Sequence, residues 1–307
     1  MSAVLRRTVM ATGLSFGVVG IARAQTPAAL PDLRRFPSAE AAISALVDAI
    51  RKDDDKAVAE ILGSGWQDFV PGHIEDEDEV RNKFLKAWDD SHKLIPENDD
   101  RVLVGVGTTG WTLPIPIKRT DGSWVFDVEA GHDEVQARTI GHNELAVVQT
   151  LLAIIDAQRE YAARDPMNTG FSVYARRLLS SPGRKDGLYW ETKPGEPESP
   201  IGPKLALAQL GHVEERGYHG YRFRLLYSQG PDAPGGAYDY LVNGRMLGGF
   251  AVLAWPVDYG ETGVMTFMAS HSGDVYERDL GENTSAEAAK IQVFNPDKNW
   301  NKADMTP

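Results

Sequence analysis

Seven histidines are the first candidates for catalysis or metal binding, because imidazole titrates near neutral pH and coordinates transition metals. None occurs as His-x-His or His-Glu-x-x-His, so no helix face presents a zinc pair, although a site assembled from distant histidines stays open. His219 is the candidate general base, but a histidine at the start of a strand is more often a half-exposed packing residue. Cysteine is absent, which excludes disulfides, thiolate nucleophiles and cysteine metal sites.

Carboxylates are the second source of chemistry, since acid-base catalysis needs two acidic groups with separated pKa values. Asp239 with Asp258 or Glu261 is such a pair, but the sequence does not show proximity, and solvation is the favoured interpretation among 44 acidic residues. The acidic run 75–79 and the spaced oxygen ligands at 297–301 lack the glycine of a calcium loop. Nucleophile-elbow, phosphate-loop and dinucleotide motifs are absent too, so we predict no metal, no cofactor and no catalytic residue.

A loop and a hairpin tip are the preferred binding candidates. Three polar side chains offer directed hydrogen bonds beside Tyr238 and Tyr240, a mixture that suits a carbohydrate, a peptide or a partner loop. The favoured alternative is that these residues satisfy turn carbonyls and strand ends, and that the glycine pairs make turns rather than anion cradles. The candidate binding residues are Gln229, Gly235, Gly236, Tyr238, Asn243 and Arg245.

The elements that must position these residues form an antiparallel meander of about five strands in the aromatic-rich stretch 218–280. Alternation predicts a strand over 221–227, and Asn243-Gly244 predicts a type I′ hairpin that joins 237–242 to 245–255. A second hairpin joins 263–270 to 274–279.

The first half of the chain predicts helices followed by a sheet. Ser38 and Asp54 can cap two helices, and the acidic run at 75–79 leads into a third. Strands follow at 102–106, 111–118 and 123–128, and two prolines place the middle one at an edge.

A long helix separates the two sheets in the sequence. It runs from Asn143 to the stop at Pro166, and a short helix is expected at 170–180. Residues 182–203, rich in proline and glycine, predict either an irregular connection pinned by Tyr189 and Trp190 or a mobile flap.

The predicted fold class is α+β, with two domains in which helices pack on an antiparallel sheet. Residues 1–24 are typical of a cleavable signal, 25–35 of a linker, 36–140 and 141–300 of the two domains, and 301–307 of a tail. We therefore expect a periplasmic or secreted protein, exported by the general secretory or the twin-arginine route, with no integral membrane segment after cleavage. A net charge of -12 argues against nucleic acid partners.

A set of motifs in order resembles an exported bacterial family known as domain of unknown function 2950. The motifs are Gly-His-Asn-Glu-Leu at 141–145, Asp-Ala-Gln at 156–158, Lys-Asp-Gly-Leu-Tyr-Trp-Glu at 185–191, Ser-Pro-Ile-Gly at 199–202, Gly-Tyr at 217–218, Gln-Gly-Pro-Asp-Ala-Pro-Gly-Gly-Ala at 229–237, Asn-Gly-Arg-Met-Leu-Gly-Gly-Phe at 243–250 and Asp-Leu-Gly at 279–281. The resemblance implies no activity and no catalytic residues. The second half also looks like the soluble domains of pilins and pseudopilins, although the leader lacks their processing site and long apolar helix.

The expected function is a non-enzymatic binding or assembly module of the cell envelope, with an envelope protein or polymer as partner. The alternative is an envelope hydrolase that uses dispersed carboxylates or His219 as a base.

Overall fold

The computed structural model describes residues 33–70, 77–207 and 217–303. The predicted signal at 1–24, most of the linker at 25–35, the first part of the acidic run at 75–79 and the end of the tail at 301–307 lie outside the described residues.

Local sequence signals set the first two helices. Ser38 accepts a hydrogen bond from the Ala41 amide at 3.1 Å, and Asp54 accepts one from the Ala57 amide at 3.0 Å, as the capping patterns predict. Gly63 ends the second helix with a positive φ of 88°. The helices are α1 (Ala39–Arg51), α2 (Asp55–Leu62) and α3 (Glu77–Asp90), with a 3₁₀ turn at Trp66–Phe69.

The first sheet has four antiparallel strands in the order β1-β2-β3-β4: β1 (His92–Asn98), β2 (Arg101–Val106), β3 (Ile117–Thr120) and β4 (Ser123–Phe126). β1 was not predicted. The predicted strand 111–118 was wrong in extent and position, because regular pairing starts only at Ile117, after both prolines, and β3 is internal. Pro114 and Pro116 lack the amide donors that a ladder needs, so they lie ahead of the strand.

One long helix, α4 (Val128–Arg164), follows the first sheet. Its 37 residues span about 55 Å. The predicted start at Asn143 was wrong, because Asp127 caps the helix and accepts a hydrogen bond from the Ala130 amide at 3.5 Å. Two glycines and an exposed polar surface hide the helical period in this first part. Asp165 ends the helix in the left-handed conformation, ahead of Pro166 as expected.

The second half of the chain contains nine strands: β5 (Tyr221–Leu226), β6 (Ser228–Gln229), β7 (Tyr238–Asp239), β8 (Leu241–Val242), β9 (Arg245–Met246), β10 (Ala251–Pro256), β11 (Met265–Ser270), β12 (Val275–Asp279) and β13 (Asn301–Lys302), counted over the described residues. Five of them form the second sheet, which is antiparallel, in the order β13-β12-β11-β10-β5. Between β5 and β10 the chain makes two short strand pairs, β6 with β7 and β8 with β9, that stand outside this sheet.

Three strand predictions for this region were wrong. Residues 237–242 do not enter it, and its fifth strand, β13, comes from the segment predicted to be a tail. The chain bends between β9 and β10 at Gly249, whose φ is 141° and whose missing side chain leaves room for the His271 ring, 2.5 Å from an ideal Cβ position. The predicted continuous strand 245–255 is therefore interrupted.

Irregular segments pack against the second sheet. The helix predicted at 170–180 does not form; Tyr174 and Leu179 instead make isolated bridges to Met246 and Tyr189. In the 182–203 segment Leu188 is buried at the core and Trp190 lies within it, which favours the pinned connection over the flap. Two short helices complete the described chain, α5 (Pro203–Leu207) and α6 (Thr284–Lys290).

The fold is α+β, as predicted. Buried apolar residues form one cluster around the first sheet, between Phe36 and Phe126, and a second cluster between Val147 and Ala303. α4 connects them. Within the described ranges, no helix combines the length and apolar character that a membrane crossing requires.

Candidate functional site

The predicted hairpin tip is formed as expected. Leu241 pairs with Met246 and Val242 with Arg245, so the two residues between them make the turn. Asn243 and Gly244 have φ values of 48° and 73°, the positive angles of a type I′ turn. Both turn residues are exposed.

Gln229 has a structural position rather than an open one. Its side chain is buried, with 4% exposure, and its amide nitrogen donates to the carbonyl oxygens of Pro234 and Gly236, each at 2.7 Å. Its amide oxygen accepts a hydrogen bond from the Tyr240 hydroxyl at 2.9 Å. Gln229 therefore fixes the loop at 230–236 from inside and leaves no polar atom for a ligand.

Gly235 and Gly236 shape this loop. Their φ values are 89° and 76°, in the region that side chains other than glycine rarely adopt. The Tyr238 ring stands 3.8 Å from the position a Cβ of Gly235 would take, so the loop supports one side of an exposed tyrosine.

An exposed apolar surface surrounds the hairpin. Arg245 lies over the Phe171 ring, with its guanidinium carbon 5.2 Å from the ring centroid, and Phe171 is 57% exposed. The backbone of Tyr240 bonds both Tyr227 and Leu247, which brings their exposed side chains to the same region. We call this surface the hairpin face; it comprises Phe171, Tyr227, Tyr238, Val242, Arg245 and Leu247.

The turn that carries Phe171 is held by one carboxylate. Asp165 accepts hydrogen bonds from the amides of Thr169 and Gly170 at 2.9 and 2.8 Å. These amide donors, chiefly that of Thr169, together with the charge of Arg245, hold the pKa of Asp165 below its usual value. Sequence reasoning missed Phe171 because it placed the residue in a helix. The pattern that could have identified it is a large apolar residue between two residues typical of turns, Gly170 and Ser172.

The two groups proposed for hydrolysis lie apart in the described residues. Asp239 sits in β7 beside Gly248, near the start of β10, whereas Asp258 and Glu261 follow its end. Six residues of strand span about 20 Å, so the pair does not face a common substrate atom.

His219 occupies a tight turn. The backbones of Tyr218 and Tyr221 exchange hydrogen bonds at 2.9 and 3.1 Å around it, and its φ is 50°. Burial, reinforced by the nearby His142, lowers the pKa of His219, so the neutral imidazole is favoured. Its ring packs edge-on against Tyr218, with centroids 4.4 Å apart. His219 is nevertheless exposed, so the Tyr218 contact covers only one side of its ring.

The middle of α4 holds the loop between β10 and β11. Asn143 donates to the Thr262 carbonyl at 2.9 Å, and one oxygen of Glu144 accepts from the amides of Val264 and Met265, each at 2.9 Å. About two helical turns before Asn143, Gln136 donates to the Gly260 carbonyl. We call Gln136, Asn143 and Glu144 the α4 clamp. Two of its residues belong to the Gly-His-Asn-Glu-Leu motif, so that motif serves tertiary structure here.

A cavity of about 110 Å³ lies between the first sheet and the start of α4. Its charged groups are already paired: Arg138 bonds Glu134 and Thr112, and Arg101 Nε lies 2.8 Å from Glu97. The contact between Arg101 and Glu97 is an ion pair without hydrogen-bond geometry. The cavity therefore offers little unsatisfied charge to a ligand.

No group of three or more histidine, aspartate or glutamate side chains in the described part of the chain could hold a metal ion. At 297–301 the Asp297 carboxylate instead accepts from the Asn299 backbone amide at 2.9 Å and side-chain amide at 3.2 Å. That local turn accounts for the spacing that resembled a calcium loop.

No curated protein and no solved structure is found to match the chain. Residues 33–303 match a family model, which covers both sheets, the α4 clamp and the hairpin face. The chain therefore belongs to the family described as "Protein of unknown function (DUF2950)".

Proposed function

We propose that this protein is a non-enzymatic binding module of the cell envelope that docks a protein partner through the hairpin face. The observation that carries the proposal is the grouping of apolar side chains. Among the described residues, nine large hydrophobic side chains are exposed, and five of them lie on this face. Contiguous exposed apolar surface is typical of interaction sites.

The composition of the hairpin face favours a protein partner. Tyrosine, phenylalanine and arginine are enriched in protein interfaces, and aromatic and arginine anchors carry most of the binding energy there. The stacked pair of Phe171 and Arg245 combines both kinds of anchor. A type I′ hairpin and a carboxylate-held turn support the face, so little conformational freedom is lost on binding.

The predicted export signal supports the envelope location. Residues 1–24 are typical of a signal, and either secretory route would deliver the chain to the periplasm or the exterior. The order of a long helix followed by an antiparallel meander also supports the proposed likeness to soluble pilin-type domains, which function by assembly with other chains. A hydrolase is the weaker candidate because Asp239 and Asp258 flank opposite ends of β10.

The test compares two matched double variants in pull-downs from an envelope extract. Phe171→Ala with Arg245→Ala removes one exposed aromatic ring and one exposed arginine from the hairpin face. Trp111→Ala with Arg119→Ala removes the same two kinds of side chain from β3 and the segment that leads into it, beside the first sheet. Circular dichroism and thermal unfolding confirm that both variants remain folded.

We expect the native chain and the first-sheet variant to retain the same protein and the hairpin-face variant to lose it at least tenfold. A photo-reactive residue at Val242 should then cross-link to that protein, whereas one at Trp111 should not. Equal retention by both variants would refute the hairpin face as the docking site. Retention of a polysaccharide instead of a protein would refute the choice of partner class and leave the face in place.

A further inference from the structure

Three arginines share one face of the second sheet. Arg222 and Arg224 alternate along β5 with Tyr221 and Phe223, so they lie on the face opposite to those core side chains. Thr266 pairs with Arg278 and Arg222 pairs with Trp255, and antiparallel partners place their side chains on the same face.

These side chains form one row across four strands. The β10 and β11 register, in which Ala254 pairs with Phe267, continues by one step and places Trp255 beside Thr266. The row therefore starts at Arg222, continues through the Trp255 indole and the Thr266 hydroxyl, and ends at Arg278. Three strand spacings separate the ends by about 14 Å, which two extended arginine side chains can bridge. The row is Arg222, Trp255, Thr266 and Arg278, with Arg224 next to it over the Trp255 ring at 5.5 Å.

Unpartnered donors concentrate on this row. Six buried side-chain polar atoms of the described residues have no hydrogen-bond partner, and three of them are Arg224 Nε, Trp255 Nε1 and Thr266 Oγ1. Thr266 has 0% exposure. Native proteins keep few such atoms, because a buried donor without an acceptor destabilises the fold. Three on neighbouring strands indicate that an acceptor belongs here.

The charge of the row is also uncompensated by the described residues. Arg222 and Arg278 are half-buried, and neither side chain has an ion pair or a hydrogen bond to any part of the chain that the structure describes. Arg224 donates only to the carbonyls of Ala288 and Ile291, at the end of α6. Glu277 and Asp279 alternate to the opposite face. Within the ranges that the structure describes, no carboxylate pairs with these three arginines, although the chain has a net charge of -12.

We propose that this row is a binding site for an oxyanion, such as the phosphate or carboxylate group of an envelope metabolite or polymer. Arginine forks match the geometry of two anion oxygens, and the indole can only donate. Such an array suits a ligand that only accepts hydrogen bonds. Arg222 and Arg278 make first contact, and the Trp255 indole shifts to admit the anion, since its donor atom has no solvent contact.

The oxyanion site is independent of the hairpin face. Trp255 lies near the end of β10, whereas the hairpin joins the sheet before the start of that strand. Loss of the protein partner in the hairpin-face variant would therefore leave oxyanion binding intact.

The test is calorimetric titration of the purified protein with inorganic phosphate, sulfate and acetate at constant ionic strength, with chloride as the background anion. Arg222→Gln with Arg278→Gln removes the two half-buried charges. Arg176→Gln with Arg184→Gln is the matched control, because both of those arginines are exposed. We expect saturable binding by the native chain and by the control, and at least tenfold weaker binding by the row variant.

Thr266→Val separates binding from folding. The valine keeps the shape and removes the unpartnered hydroxyl, so we expect an unchanged or higher thermal midpoint without ligand and severalfold weaker anion binding. Phosphate and sulfate binding without acetate binding would identify phosphate-type groups, and the reverse would identify carboxylates. Absence of saturable binding for all three anions at millimolar concentration, or equal weakening in the two arginine variants, would overturn the proposal.

Discussion

Glu144 is the residue through which we expect α4 to hold the second sheet. One of its carboxylate oxygens accepts hydrogen bonds from the amides of Val264 and Met265, both at 2.9 Å. Glu144→Ala would leave both partly buried amides without an acceptor. A hydrogen bond to a charged group contributes about 1.5–3 kcal/mol, and we take the lower figure for each bond because the site is only half-buried, which gives about 3 kcal/mol in total.

The expected loss is measurable as a fall in thermal midpoint. For a chain of this size about 1 kcal/mol corresponds to roughly 2–4 °C, so Glu144→Ala should lower the midpoint by about 6–12 °C. Glu144→Gln keeps a carbonyl oxygen in the same place and should cost about 1 kcal/mol. Glu160→Ala is the matched control, because Glu160 lies on the same helix in an exposed pair with Arg164 and should cost less than about 0.5 kcal/mol.

Hydrogen exchange locates the effect. The amides of Val264 and Met265 should lose protection in Glu144→Ala, while the Phe267 amide, deeper in the sheet, should keep most of it. If Glu144→Ala unfolds at the same temperature as Glu160→Ala, the α4 clamp contributes nothing to stability and the reasoning is wrong.

Three further predictions concern packing and pH. Gly263→Ala should destabilise by about 1–3 kcal/mol in chemical denaturation, because its Cβ would lie 2.0 Å from the Tyr221 hydroxyl, whereas Gly141→Ala, with open space on α4, should stabilise by about 0.5–1 kcal/mol. Burial raises the pKa of Tyr161 to about 12, above its unfolded value of about 10, so its contribution to stability is present below pH 10 and lost as pH rises towards 12; Tyr161→Phe should flatten the fall of the thermal midpoint in that window. Asp165 has a lowered pKa, so its contribution is present above about pH 4 and lost as pH falls below that value, and Asp165→Asn should remove this acid dependence in the hydrogen exchange of the 165–171 turn.

Local chemistry made part of the fold predictable. The caps at Ser38 and Asp54, the stop before Pro166 and the turn at Asn243 each depend on a few adjacent residues, and the structure has all four. Such signals are complete within one stretch of sequence.

Strand pairing between distant segments could not be predicted from the sequence in the same way. β1 contains Pro96 and charged residues and becomes a strand only because β2 supplies its ladder. The segment 237–242 has strand character, but the bend at Gly249 directs it away from the sheet. For the candidate site, Gln229 proved to be internal, and Phe171, which no pattern singled out, stands beside Arg245. Register, which alone brings Arg222 and Arg278 to one row, is a property of the folded sheet.

α4 also sets the angle, about its own axis, between its contacts to the first sheet and its contacts to the second. Arg138, which bonds Thr112 beside the first sheet, and Asn143, which bonds Thr262 beside the second, stand little more than one turn apart on a stretch with no buried residue between His132 and Ala146. Each residue added there would rotate everything beyond it by about 100° and advance it by about 1.5 Å. A single inserted residue would thus turn the Arg138 and Asn143 side chains in different directions. An insertion of seven residues would return them to within about 20° of their present relative rotation about the helix axis. α4 therefore fixes the rotation of these two contacts relative to each other, and changes in chain length are tolerated in the loops around it.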